Sequence, residues 1–518
     1  MRSKPRLFVF SHICSQTYVT GAEKLLLFML RELEPYFQCT LVVPNEGYLS
    51  TSALARGISI GVQPIPISVP LYLAQPHLLD ELHQFRSEAD YAALVHLLAS
   101  QRPDAVLVNT AVHPMPAIAA KELGIPVVWS LMETIRSTPH TADAVALIHK
   151  YSDWIVGISE STLQQVRMYY PHLDDKIILL PPSWHPEDLS PESWQSNREL
   201  RRSGLAVRPQ HQLIGFIASS IYTNKGYMPF IEMAVEIAKR HHDALFLIVG
   251  NPVDRALFDS GLDLARRCGI MDRFRWIRFE NRIETIYPAL DMVVVPSMAA
   301  EGFGLTALEG LVFGKPVVAF ASGGLAEVMQ MTGNAAYSVP VGDVLGLVNC
   351  IDGLLSNRKK METVGMLSRA AVERAYGIAA YRNKLVRLLH AMNVDAVVKP
   401  HLVRGSTPAV YLLEDGKLRP FVSEKAFLEA GYSFSDVVTI DDATIRALPL
   451  GEPIGEPEGL TDPASVRARH AARRRRRKRS GKARRRRGRG GRRRSKPPIR
   501  RTTAGRRRSK AKRRRMRR

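Results

Sequence analysis

Glu301-Gly302-Phe303-Gly304-Leu305-Thr306-Ala307-Leu308-Glu309 decides the reading of this chain, because of what stands on either side of it. Before it runs Asp291-Met-Val-Val-Val-Pro296-Ser297, a continuous apolar segment closed by a turn signal, which reads as a strand buried on both faces. After it come Gly314-Lys-Pro-Val-Val-Ala319, the next strand, and Ser322-Gly-Gly-Leu-Ala-Glu327, a Gly-Gly turn with a carboxylate. Strand, Gly-containing loop, helix and strand in that order put the loop at the carboxyl edge of a parallel sheet, where such sheets hold ligands. Gly302 and Gly304 let backbone N–H groups approach an anion, and a helix starting near Leu305 turns its positive end toward it. Glu309 then lies about one turn into the helix, where a carboxylate can accept two hydrogen bonds from a ribose diol. Glu301, still in the loop, is free to face sugar hydroxyls. A nucleotide-linked sugar carries both features, an anion and vicinal hydroxyls.

Outward from this stretch the chain alternates strands and helices. Apolar runs at 6–12, 39–44, 104–109, 125–130, 154–159 and 176–181 read as strands, and 21–33 as a helix whose start is marked by a Thr20/Glu23 capping box. A polar, Pro-containing segment over 183–210 separates this half from the next. The second half restarts with strands at 212–218, 244–250 and 274–279, the first followed by a helix over 228–241. Such alternation predicts an α/β chain with parallel sheets covered on both faces. Residues 409–422 read as a hairpin with Asp415-Gly416 at its turn, followed by a helix over 423–430 and a strand over 436–440.

With these elements in order, the chain resembles the retaining GT-B glycosyltransferases of the large family 4, whose C-terminal domain carries this E-x7-E pattern. The resemblance spans roughly residues 5–393. It implies a GT-B fold of two Rossmann-like domains facing a cleft: an acceptor domain over 1–195 and a nucleotide-sugar domain over 196–395. The last helix of the span, 370–392, is expected to cross back to the first half. A small α+β module over 400–450, a linker over 451–466 and a disordered Arg-rich tail over 467–518 complete the organisation.

The resemblance also assigns roles. Lys225, in Thr223-Asn-Lys-Gly226, matches the lysine that the family places on the diphosphate. Glu301 matches the carboxylate at the sugar hydroxyls, and Glu309 the one at the ribose. The N–H groups around Phe303, Gly304, Leu305 and Thr306 are expected to meet the diphosphate. The family pairs its lysine with an arginine just after the preceding strand, but this chain has Ala218-Ser219-Ser220 there. Weaker donor binding, another cation such as Arg278 or Arg282, or a different donor would each accommodate the change. In the first half, Gly21-Ala22-Glu23 either approaches the donor phosphates or the acceptor, or is a plain helix start. Met132 stands where many relatives carry His, while Glu133 keeps the acid that follows. His113 and His140 read as loop residues of the surface. Gly250-Asn251 and Phe279 sit at strand ends where relatives place the nucleotide base.

Charge divides the chain in two. Residues 465–518 hold 31 Lys or Arg and no acid, leaving 42 basic against 49 acidic side chains over the first 464 residues. The net charge of +24 is therefore a property of the tail, attached to a slightly acidic body. Residues 467–518 have the charge density to bind an anionic polymer, nucleic acid or an acidic membrane surface, and lack Phe, Tyr and Trp for base stacking. No apolar run reaches the roughly 18 residues of a spanning helix, and the start of the chain reads as a strand, not a signal peptide, so a cytoplasmic protein is expected. The scattered Cys14, Cys39, Cys268 and Cys350 suit reduced, buried thiols. No Asp-x-Asp stands where a metal-dependent transferase would place one, and the adjacent pairs Asp174-Asp175 and Asp441-Asp442 suit solvated turns; neither metal nor cofactor is expected. The rival reading is a binding or coat-type protein that kept the fold, lost turnover and acts as a polyanion-binding scaffold.

Overall fold

The computed structural model describes residues 4–455 apart from 17, 18, 174, 395–400, 415, 416, 431, 433, 435, 436 and 441. Seven parallel strands form a first sheet in the order β3-β2-β1-β4-β5-β6-β7. They are β1 (Arg6–Phe10), β2 (Gln38–Val43), β3 (Ser59–Val62), β4 (Ala105–Asn109), β5 (Val127–Leu131), β6 (Trp154–Gly157) and β7 (Ile177–Leu179). Six parallel strands form a second sheet in the order β10-β9-β8-β11-β12-β13. These are β8 (Gln212–Ser220), β9 (Ala244–Asn251), β10 (Phe274–Ile277), β11 (Met292–Val295), β12 (Val317–Phe320) and β13 (Ser338–Val339). In each sheet the strand order reverses beside the first strand, at β1/β4 and at β8/β11. Both reversals open a crevice at the carboxyl edge, the switch point where doubly wound sheets bind ligands.

Burial on both faces explains why these segments are strands. Along β11 all four residues are buried, Val293 and Val295 against the helix Leu305–Val312, and Met292 and Val294 against the helix Tyr227–Arg240. Each such side chain contributes roughly 1.5–3 kcal/mol. The edge strands β3 and β13 have no apolar run to announce them: β3 is Ser-Ile-Gly-Val and partly exposed, and β13 is two residues long. Their pairing comes from neighbours already in place.

Two segments depart from the sequence expectation. The helix expected over 370–392 is two helices, Arg358–Tyr376 and Ile378–Ala391, split at Gly377 by an extended backbone (φ −59°, ψ 164°). The break redirects the chain: Val372 and Tyr376 pack in the second half's core, whereas Ile378, Tyr381, Leu385 and Leu388 pack with Leu7 and Val9 of β1. The polar stretch 183–210 contains the helix Trp194–Gly204, whose first turn holds the expected 195/196 boundary. Three arginines bolt that helix to the second half. Arg198 and Arg202 meet Asp291 at 2.7 and 2.9 Å, and Arg201 meets Glu280 at 2.7 Å. Burial pushes the Asp291 carboxyl up, but the two guanidinium groups outweigh it and hold the group below the usual range.

A third sheet, β16-β15-β14-β17, comprises β14 (His401–Arg404), β15 (Val410–Glu414), β16 (Lys417–Pro420) and β17 (Val437–Thr439). The hairpin β15–β16 pairs antiparallel; its Asp415-Gly416 turn lies outside the described residues. Ser423 caps the helix Glu424–Glu429 through the Ala426 N–H. Asp174 and Asp441, the later part of the linker and residues 467–518 also lie outside the described residues. Among the described residues no helix is long and apolar enough to cross a membrane. The four cysteines are free, but only Cys14 and Cys39 are buried; Cys268 is exposed, because it follows the last turn of an outer helix.

Candidate active site

Four loops meet at the crevice: those after β1, β8, β10 and β11. After β8 the chain makes a short turn, Thr223–Lys225, and Gly226 takes φ +75°. A Cβ at Gly226 would overlap the Pro296 carbonyl oxygen, so glycine is required where this turn presses on the end of β11. That contact delivers Lys225, whose Nζ lies 2.8 Å from Glu301 Oε1. Ser297 Oγ donates to the same oxygen at 2.6 Å. Burial raises the Glu301 pKa, but the Lys225 charge and these two hydrogen bonds outweigh it, so the carboxylate is held below its usual range. The Gly-Gly turn has a structural reason as well: Glu301 bridges to Gly323, and Gly324 N donates to Glu301 O at 2.7 Å.

The loop after β11 is also clamped by the first half. A side chain at Gly302 would overlap the Met132 carbonyl oxygen, and Ser159 Oγ donates to Gly302 O at 2.6 Å. Phe303 anchors the loop from below: its ring is buried, edge-on to Tyr376 at 5.3 Å. The helix Leu305–Val312 then starts after Gly304, so its first N–H groups, which have no intrahelical acceptor, face the crevice side. On that helix Glu309 Oε2 accepts a 2.6 Å hydrogen bond from the Tyr287 hydroxyl, and Oε1 lies 3.5 Å from Lys24 Nζ. Burial and the Glu309 charge raise the Tyr287 hydroxyl far above its ordinary pKa, so it remains a donor.

These groups line one crevice of about 180 Å³. Lys225, Glu301, Gly304, Leu305, Thr306, Glu309 and Gly21 all border it, together with Phe279, Asn281 and Ser219. Phe303, Ala22 and Glu133 are not among its walls. Two further residues belong to the site without having been singled out from sequence. Tyr287 carries no signal beyond being an aromatic before a strand. Lys24 is more legible in retrospect, a lone cation ahead of the apolar run Leu25–Leu30, one turn into a well-capped helix. The capping box itself is present, with Thr20 Oγ1 accepting from Glu23 N and Glu23 Oε2 from Thr20 N. Arg278 and Arg282 do not line the crevice: Arg278 Nε turns to Asn251 at 3.1 Å and Arg282 Nε to Glu284 at 2.8 Å. Glu327 also faces away, accepting N–H bonds from Glu160 (2.9 Å) and Ser161 (2.6 Å) at the start of a first-half helix. That is a favourable place for a carboxylate and a second tie between the halves.

The carboxyl edge of the first sheet is unusually polar inside. Asn109, Thr110 and Ser130 are fully buried, and their side-chain polar atoms find no hydrogen-bond partner among the described residues, like Nδ1 of His12 and His113. His113, expected at the surface, is buried because it starts a helix packed on β4 and β5 and meets Phe10 edge-on; His140 does remain accessible. Burial, then the neighbouring His12, pushes His113 down to about 3, and burial takes His12 to about 4, so both imidazoles are neutral.

Glu133 stands at the same edge, accepting from Ala111 N at 2.9 Å. Burial raises its pKa from 4.5 to about 7 against the pull of backbone N–H groups. Between those values the folded protein holds a proton that the unfolded chain has released, so stability falls as pH rises through this window. Glu133→Gln is expected to flatten that fall, which amounts to about 1–3 kcal/mol between pH 5 and 8 by urea denaturation.

Among the described residues no group of three or more His, Cys, Asp or Glu is placed to hold a metal ion.

Residues 198–370 match the family model for glycosyl transferases group 1. A D-inositol 3-phosphate glycosyltransferase of Corynebacterium diphtheriae is 28% identical over 226 residues, which cover 43% of this chain and 51% of that protein. The chain spans about half the length of the curated relatives it matches. Among solved structures, Anabaena HepE in complex with UDP-glucose superposes with a TM-score of 0.62 at 19% identity, covering 74% of this chain and all of that one. WaaG, a glycosyltransferase involved in lipopolysaccharide biosynthesis, does so with a TM-score of 0.55 at 14% identity, covering 76% and 100%. Residues 198–370 are thus a glycosyltransferase group 1 domain, carried in a chain whose two Rossmann-like halves have the GT-B fold.

Proposed function

We propose that this chain is a retaining transferase of the family 4 type, moving a sugar from a nucleoside diphosphate sugar to an acceptor. The convergence of Lys225, Glu301, the start of the Leu305 helix and the Tyr287-held Glu309 on one crevice carries this reading. Glu309 accepts the ribose hydroxyls, Phe279 and Asn281 flank the base, and Lys225 with the helix N–H groups meets the diphosphate. Glu301 faces the sugar. When the bond from the anomeric carbon to the diphosphate breaks, its electron pair goes to the diphosphate, where lysine and N–H donors stabilise it without a metal ion. The acceptor hydroxyl bonds the same carbon and passes its proton to the departing diphosphate. HepE with UDP-glucose supports a nucleotide sugar as donor.

A bacterial surface glycan, lipid or protein fits this reading as the hydroxyl-bearing acceptor. Residues 467–518 would hold the enzyme at an anionic polymer, nucleic acid or acidic membrane surface through charge alone. Ser219 and Met132, in place of the family's Arg and His, favour instead the rival reading, a binding or coat-type protein that kept the fold, lost turnover and acts as a polyanion-binding scaffold. Incubating the chain with UDP-, GDP-, ADP- and dTDP-sugars separates the two. Release of one nucleoside diphosphate, with the product's anomeric configuration retained by NMR, is the expected result. Saturable binding with no release in the presence of candidate acceptors would favour the scaffold, and inverted product would remove the retaining assignment.

A further inference from the structure

The crevice is short of positive charge. Its charged walls are Lys24, Lys225, Glu280, Glu301 and Glu309; Glu280 is already paired with Arg201, and without Lys24 one lysine would face the two carboxylates Glu301 and Glu309. A nucleoside diphosphate sugar adds two negative charges, and Ser219 offers the phosphate a hydroxyl, not a cation. Arg278 and Arg282 are turned elsewhere. Lys24 is the cation that the first half brings in. It stands one turn into the helix Gly21–Leu33, directly after the β1 loop, with its side chain about one-third exposed and its ammonium 3.5 Å from Glu309. At that separation the contact is loose, and the flexible stem of lysine lets the ammonium move within the crevice.

We propose that Lys24 supplies, from the first half, the second cation for the diphosphate of a nucleoside diphosphate donor. This rests on the reading of the crevice as a donor site. When the donor enters, the ribose hydroxyls take over Glu309, and the Lys24 ammonium moves to the diphosphate oxygens opposite Lys225. Donor affinity then depends on both halves, because Lys24 stands on the helix after β1 and Lys225 on the turn after β8.

The test is calorimetric titration of the full chain and its Lys24→Met and Lys24→Arg variants with UDP, GDP, ADP and dTDP. The corresponding nucleosides are measured by displacement. The Arg-rich tail is identical in all three proteins, so its binding of anions cancels in the comparison. For the nucleotide that the unmodified chain binds, Lys24→Met is expected to weaken the diphosphate about 10- to 100-fold. The nucleoside should stay within about twofold, and Lys24→Arg should restore most of the loss. Unchanged or tighter diphosphate binding by Lys24→Met would overturn the proposal. So would an equal loss for the nucleoside, which would mean that Lys24 acts only through Glu309. If the unmodified, folded chain binds none of the four diphosphates, the donor reading fails and this inference with it. Binding by the unmodified chain with no effect of Lys24→Met defeats Lys24 alone.

Discussion

Glu309→Ala is expected to abolish measurable donor binding while leaving the protein folded. One carboxylate oxygen of Glu309 is held by the Tyr287 hydroxyl at 2.6 Å, which orients the other toward the crevice. A ribose diol that donates two hydrogen bonds to a charged acceptor gains about 1.5–3 kcal/mol from each. Losing both weakens binding at least about 100-fold. The fold tolerates the change because Glu309 lies at the crevice wall, and Tyr287, stacked on Phe313 at 5.3 Å, keeps its place in the core. Titration with the nucleoside diphosphate that the unmodified chain binds gives the affinity, and circular dichroism the fold. Glu309→Gln, which keeps one acceptor oxygen without charge, should fall between. Affinity unchanged in a folded Glu309→Ala protein would place the ribose elsewhere and undo the donor assignment.

Lys225→Ala is expected to lower kcat about 100- to 1,000-fold, the loss seen when one donor aimed at developing negative charge is removed. In the proposed transfer the charge grows on the diphosphate, as the bond to the sugar breaks. A second consequence follows from the ion pair. Without Lys225 the partly buried Glu301 keeps only the Ser297 hydrogen bond, and its pKa rises from its present depressed value. Activity remaining in the variant should therefore fall as pH drops toward the new Glu301 pKa, at values where the unmodified enzyme still works. Following nucleoside diphosphate release against pH measures both effects. A variant with raised KM and unchanged kcat would mean that Lys225 binds the donor equally in ground and transition states.

The legible part of the fold was the part governed by local pattern. Met292–Val295, Val317–Phe320 and Ala244–Asn251 are apolar enough to be strands in the middle of any parallel sheet, and they are. Thr20 and Glu23 announced a helix start through a box closed within four residues. The edge strands β3 and β13 were not legible, since an edge strand needs a pairing partner more than an apolar run. Nor was the break at Gly377, which depends on two cores lying on either side of it.

The site divides the same way. The order Lys225, Glu301, Glu309, with glycines at 226, 302 and 304, stands in the sequence because each loop follows its strand directly, and a parallel sheet brings strand ends to one edge. What the sequence by itself determined is therefore the second half of the crevice: a sheet, its carboxyl edge, and the residues on the loops there. Only the tertiary structure decided what the first half adds. It places Lys24 beside Glu309, turns Glu327 onto the Glu160 helix and presses Met132 on Gly302. Those contacts join residues more than 100 positions apart in the chain. No local periodicity encodes them, because they exist only where the loops of two sheets meet.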